Sequence, residues 1–153
     1  MKKYIIIVIC LLSSRLAAQD NICLSPKDTV ISELAPSYKV MTYNIRLDVA
    51  SDGENAWPNR KDFFTSQVQF YAPDVMGIQE ALPNQVQDIA QSLPNYQYVG
   101  IGRDEEGKGE ASNIFYRSDK LKMIENHTFW LSETPTQPSM GWDAACRRVC
   151  TYA

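Results

Sequence analysis

Histidine is almost absent from these 153 residues: His127 is the single one, set in "ENHTFWLS" with no aspartate beside it. That leaves no Ser-His-Asp relay to assemble, and a histidine so placed reads as structural or solvent-facing. Cysteine is scarce too, limited to Cys10, Cys23, Cys146 and Cys150. Cys146 and Cys150 have no histidine nearby, so they read as buried structural thiols and not as metal ligands. No apolar run is long: the longest, Tyr4 to Leu12, holds nine residues, too few to cross a bilayer. Glycine is sparse, and its one rich stretch, "GRDEEGKGEA", lacks the order of a nucleotide phosphate loop. Positive charge is in deficit, with 15 basic against 18 acidic residues. A broad electrostatic footprint for nucleic acid needs the reverse, although a bound divalent cation attracts phosphate without it.

The first 18 residues have the form of a signal peptide. Lys2 and Lys3 precede the apolar run, and Ala17-Ala18 offers a small-residue exit before Gln19. Cleavage there predicts a secreted or periplasmic product with no stable membrane insertion. It removes three basic residues and no acidic ones, leaving 12 against 18, or about −6. Three cysteines would remain, an odd number in an oxidising destination. No small-residue pair precedes Cys10 or Cys23, which argues against a lipid-modified cysteine. Residues 19–37 show no lasting period and read as a leader or edge segment.

From residue 38 the pattern becomes regular. "YKVMTYNIR" alternates as a strand, with Val40, Thr42 and Asn44 on one face and Met41, Tyr43 and Ile45 on the other. A polar loop from Asp48 leads to a helix expected over 59–71, capped by Asn59, with Phe63, Phe64, Val68 and Tyr71 inward. "VMGIQ" reads as a buried strand ending at Glu80. A second helix starts near Pro83 and places Leu82, Val86, Ala90 and Leu93 on one side. Strands follow at 96–101, 112–117 and, less regularly, 121–132, and another begins near Val149 with no partner downstream. Early strand–helix alternation followed by consecutive strands predicts an α/β protein with a mixed sheet and helices against one face.

Glu80 carries the most chemical information, since a carboxylate closing a buried strand is costly unless something neutralises it. Asn44 holds the corresponding place after the first strand. In sheets of this kind ligands gather beyond the carboxyl ends of the strands. A carboxylate beside a carboxamide oxygen suits a hard cation such as Mg2+, Mn2+ or Ca2+. The competing readings are that Glu80 caps the next helix or pairs with an arginine, and that Asn44 only forms a turn. Arg103, Arg117, Arg147 and Arg148 are phosphate-contact candidates or ordinary surface ion pairs. Trp57, Trp130 and Trp142 line a groove or close the core.

"TYNIRLDVASDGENAWPNRK", "PDVMGIQEA", "YVGIGRDEEGKGEASNIFYR", "TFWLSETP" and "GWDAACRRVCTYA" together resemble the endonuclease/exonuclease/phosphatase superfamily, and most closely its secreted bacterial branch. The resemblance covers residues 38–153. It implies a four-layered α/β sandwich of two mixed sheets with helices outside, here only its N-terminal portion, truncated at the C-terminus. It also implies hydrolysis of a phosphodiester or phosphomonoester with a divalent metal, usually Mg2+, with Mn2+ or Ca2+ as alternatives. Asn44 and Glu80 match the family's metal and phosphate residues, with Glu80 as direct metal ligand, and Arg148 matches an arginine that faces phosphate. Glu110 falls in the segment this branch writes as "GE-aromatic-S", where Ala111 replaces the ring. Trp142 and Asp143 belong to the same recurrent segment as Arg148 and stand as substrate-binding candidates.

The family's later histidine, its "GD-x-N" motif and its terminal aspartate-histidine pair have no match, so hydrolysis by this chain is expected to be impaired. Three substrates stay open: a phosphorylated small molecule, a lipid head group, or nucleic acid cut by a nuclease. A non-catalytic binding or structural protein on the same fold is the alternative from another class. Oligomeric state is left open.

Overall fold

The computed structural model describes residues 37–153. The signal-peptide reading of residues 1–18 and all but the last residue of the 19–37 leader reading lie outside the described residues. Six strands and two helices follow in the order β1 (Val40–Asn44), α1 (Trp57–Tyr71), β2 (Val75–Ala81), α2 (Pro83–Ser92), β3 (Tyr96–Val99), β4 (Ala111–Arg117), β5 (His127–Trp130) and β6 (Val149–Tyr152). The first sheet runs β1-β2-β4-β3, with β1 and β2 parallel and the other pairs antiparallel. β5 and β6 form an antiparallel pair, and β6 packs against β4. The protein is thus an α/β sandwich: a helical layer, a mixed sheet and a second sheet behind it.

Side-chain alternation explains the layering. Met41 and Tyr43 of β1, Met76 and Ile78 of β2 and Phe115 of β4 share one core with Trp57, Phe64 and Val68 of α1 and Val86 and Ile89 of α2. The intervening positions Val75, Ile114 and Tyr116 face the other way, against Val99, Leu121, Met123 and Ala153. β2 and β4 are therefore buried on both faces, as an interior strand must be.

Several element bounds differ from the sequence reading. α1 starts at Trp57 instead of Asn59, because Pro58 occupies the first turn, where its missing N–H costs nothing. The Asn59 side chain does not cap the helix; it donates to the Gly53 carbonyl at 3.3 Å. Phe63 and Tyr71, expected inward, are exposed, and Trp57 fills the core in their place. Residues Ala50–Asn55, read as open loop, wind into 3-10 turns broken at Gly53, whose φ of 56° and ψ of −120° are not helical. The strand expected over 121–132 shortens to β5.

At the opposite end of the sheet from the candidate site, Asp74 is buried beside the start of β2. Its carboxylate accepts the Lys39 backbone N–H at 2.9 Å and pairs with Lys120 Nζ at 2.6 Å. The Lys120 ammonium, then the Lys39 amide, hold the Asp74 carboxyl below the usual carboxylate range. Because the folded pKa lies below the unfolded one, this stability is complete above about pH 4 and drains away as pH falls through the folded value. Asp74→Asn should therefore be destabilised at pH 7 and should show a smaller loss than wild type between pH 4 and pH 2. Urea midpoints at both ends of that range measure it, and parallel acid profiles would refute the assignment.

Candidate functional site at the tips of the first two strands

Parallel pairing brings the carboxyl ends of β1 and β2 to the same edge, with Asn44 opposite Gln79. Just beyond, β2 departs from regular geometry: the register with β4 shifts between Ile78 and Ala81, and Glu80 sits at φ 64°. Ile78 and Ala81 both enter the helix-side core although they are three positions apart. A β-bulge absorbs the extra residue. Its effect is that consecutive side chains, Gln79 and Glu80, both line the cleft, which a period of two would forbid. A left-handed glutamate costs about 1–2 kcal/mol, and strain of this kind concentrates where it aims a functional group.

The Glu80 carboxylate accepts the Asn44 Nδ2–H at 2.7 Å and, more loosely, the Leu47 backbone N–H at 3.4 Å. Asn44 Oδ1 in turn accepts the Arg46 N–H at 2.9 Å. A reversed amide would set oxygen against carboxylate and nitrogen against N–H, so the network fixes its orientation. Asn44 is thereby the donor that orients Glu80, and its oxygen is turned toward the backbone, away from the carboxylate with which it was expected to share a cation. Neither competing reading of Glu80 holds: Gln85 caps α2 at its Leu82 N–H, and no arginine forms an ion pair with Glu80 among the described residues.

The cleft encloses about 250 Å³, and its far wall is built from the 102–110 hairpin and the start of β6. Glu110 faces into it, bound to Arg103 at 2.6 Å. Trp130 Nε1 anchors the same hairpin by donating to the Arg103 carbonyl at 2.7 Å. Gly102 allows the hairpin to close, since a Cβ there would lie 2.1 Å from the Lys108 carbonyl oxygen. Arg147 is committed to Asp104 and Glu105 at 3.3 and 3.0 Å. Arg117 is bound by Asp119 and is not among the cleft residues. Arg148 differs: it is exposed, lines the cleft, and its guanidinium has no partner among the described residues. Asn44, Glu80, Glu110 and Arg148 are thus brought together.

Trp142 and Asp143 are not: both are exposed and neither lines the cleft. His127 is exposed at the start of β5, beside the Tyr152 ring. Residues that sequence reasoning passed over include Gln85 and Arg60, which hold the loop after β1. A glutamine three residues after the helix-capping position was the available signal for the first.

Two carboxylates face the cleft, and Arg103 neutralises that of Glu110. Among the described residues no group of three His, Cys, Asp or Glu could enclose a metal. This donor set is compatible with a hard divalent cation that keeps several waters and takes one or two carboxylates together with substrate phosphate.

No family model matches the chain. Among solved structures it is similar to an endonuclease/exonuclease/phosphatase from Bacteroides vulgatus, with 43% identity and a TM-score of 0.72, covering 74% of this chain and 44% of that one. A mannosyl-6-phosphatase from Bacteroides thetaiotaomicron gives the same identity and TM-score over 75% of this chain and 44% of its own. An uncharacterized protein of Acanthamoeba polyphaga mimivirus is 33% identical over 96 residues, 56% of this chain and 34% of that protein. The chain therefore spans less than half the length of each of these relatives. With its strand order, its cleft at the strand tips and these likenesses taken together, the chain belongs to the endonuclease/exonuclease/phosphatase superfamily.

Proposed function

We propose that the cleft binds a phosphate ester next to a divalent cation, as part of a metal-dependent phosphoester hydrolase. The observation that carries this reading is Glu80, aimed by a strained bulge into a cleft that also holds an uncommitted arginine. Glu80 would hold Mg2+, which when bound withdraws charge from a phosphoryl oxygen. Asn44 fixes the carboxylate that receives it. Arg148 supplies a planar fork of donors that matches two phosphate oxygens. Glu110 keeps Arg103 and its hairpin in place as the opposite wall. The described cleft residues include no histidine to take a proton from water, so ester binding is the more direct test than turnover.

The mannosyl-6-phosphatase likeness supports a phosphorylated sugar as the ester. The acidic balance of the chain favours a small phosphomonoester over a nucleic-acid polyanion. A lipid head group finds no support in these likenesses. The signal-like form of residues 1–18 supports a secreted or periplasmic location.

Calorimetric titration with mannose 6-phosphate, in Mg2+ and then in chelator, tests the reading, with single-stranded DNA run alongside. Metal-dependent binding of the sugar phosphate is expected, weakened about tenfold in Arg148→Ala, the equivalent of one charge-assisted contact. Phosphate release in the same mixtures separates a hydrolase from a non-catalytic binding protein on this fold. If no phosphate ester binds with or without Mg2+, the reading fails.

A further inference from the structure

The loop that follows β1 is held by a side chain from the other side of the bulge. Gln85, in the first turn of α2, is completely buried. Its Oε1 accepts two backbone N–H groups, from Leu82 at 3.0 Å and from Asp48 at 3.0 Å. Its Nε2 donates to the Arg46 carbonyl at 2.9 Å. The bond to Leu82 is ordinary helix capping, but the other two are not. They grip the backbone on both sides of Leu47, whose N–H points at Glu80 Oε2, and next to the Arg46 N–H that orients Asn44. Arg60 reinforces the grip. Its guanidinium donates to the carbonyls of Ile45, Arg46 and Asn55, so the Arg46 carbonyl accepts from both Gln85 and Arg60.

We propose that Gln85 is a positioning residue for the cleft: by clamping Arg46 and Asp48 it sets the two donors, Asn44 and Leu47, that aim the Glu80 carboxylate. The claim rests on Glu80 being a cation ligand, but half of its test does not. Helix capping alone would require one hydrogen bond to a neighbour three residues away. Gln85 instead spends two of its three bonds on residues 37 and 39 positions earlier in the chain. A completely buried amide satisfied across two segments fixes their relative placement, because losing any one bond strands a buried polar group.

Gln85→Glu separates the two roles. A carboxylate still accepts from Leu82 and Asp48, and glutamate is a favoured residue at this helix position, so the cap survives. It cannot donate to the Arg46 carbonyl, whose lone pairs it would instead face. At pH 8 this variant should still fold but melt below wild type, because a buried carboxylate then faces the Arg46 carbonyl, so exchange at Leu47 is read against that of the α2 amides. Amide exchange at Leu47 should quicken at least tenfold, and Mn2+, used as a paramagnetic probe, should bind about tenfold more weakly. The added negative charge alone would strengthen cation binding, so a weakening cannot be attributed to charge. The reciprocal measurement uses Glu80→Gln, in which the Gln85 side-chain amide and the Leu47 and Asp48 backbone amides should all shift in nitrogen-resolved spectra.

Wild-type Leu47 exchange and Mn2+ affinity in Gln85→Glu, or a Gln85 amide unmoved by Glu80→Gln, would overturn the proposal. If wild type binds no Mn2+ while Leu47 exchange and the reciprocal shifts behave as expected, the clamp stands and the metal reading of Glu80 falls. If Gln85→Glu fails to fold, the Glu80→Gln spectra decide alone.

Discussion

Glu80→Ala is expected to lower the affinity of the cleft for Mg2+ or Mn2+ by about 100-fold or more, since it removes the one cleft carboxylate that no arginine neutralises. Asn44 would lose its acceptor and the Leu47 N–H would turn to solvent, but both groups lie where water can replace the lost bond. The fold should survive. Glu80→Gly gives the more telling comparison. Glycine adopts φ 64° without the Cβ conflict that glutamate carries there, a relief of about 1 kcal/mol. A variant that has lost cation binding but unfolds at the same or higher urea concentration than wild type would show that the strained glutamate is kept for the cleft and not for the fold. Unchanged divalent affinity in Glu80→Ala would remove the metal assignment, and a large loss of stability in Glu80→Gly would make the residue structural.

The strand tips were legible in the sequence because two simple signals coincide there. Alternation runs cleanly through Val40–Asn44, and a polar pair closes the apolar run that starts at Val75. What alternation cannot show is a bulge. Taken strictly, Gln79 and Glu80 belong on opposite faces, and only the pairing of β2 with β4 puts both into the cleft. Arginine roles were illegible for a related reason. Arg103, Arg117, Arg147 and Arg148 look alike in sequence. Their charge partners are Glu110, Asp119 and, for Arg147, Asp104 and Glu105, selected by how the 102–110 hairpin and the approach to β6 fold together. Arg148 emerges as the uncommitted one only after those pairs are made. Trp142 does not line the cleft, because neighbourhood in sequence with Arg148 does not carry across the turn at Gly141–Ala144. Helix starts misled as well: Asn59 is a good capping type, but Pro58 had already begun the helix.

Phe115→Ala should produce the largest loss of stability. The ring has no exposed surface, lies on β4 opposite Met76 and Tyr98, and stacks on the Tyr98 ring at 5.1 Å between centroids. It belongs to the core shared by the sheet and both helices, so no single element can move in to fill the space. Phenylalanine-to-alanine changes at such sites cost about 3–5 kcal/mol, against a total of about 5–15 kcal/mol for a typical domain. The consequence reaches the cleft, because β4 delivers Ala111 and Ser112 to its wall and fixes the bulge that turns Glu80 inward. Phe70→Ala is the control: the same side chain on α1 is 79% exposed, and its removal should change stability by no more than about 0.5 kcal/mol. Urea unfolding of the two variants gives the difference directly. Similar midpoints would mean that the core does not centre on β4, and with it would go the rigid platform on which the aim of Glu80 depends.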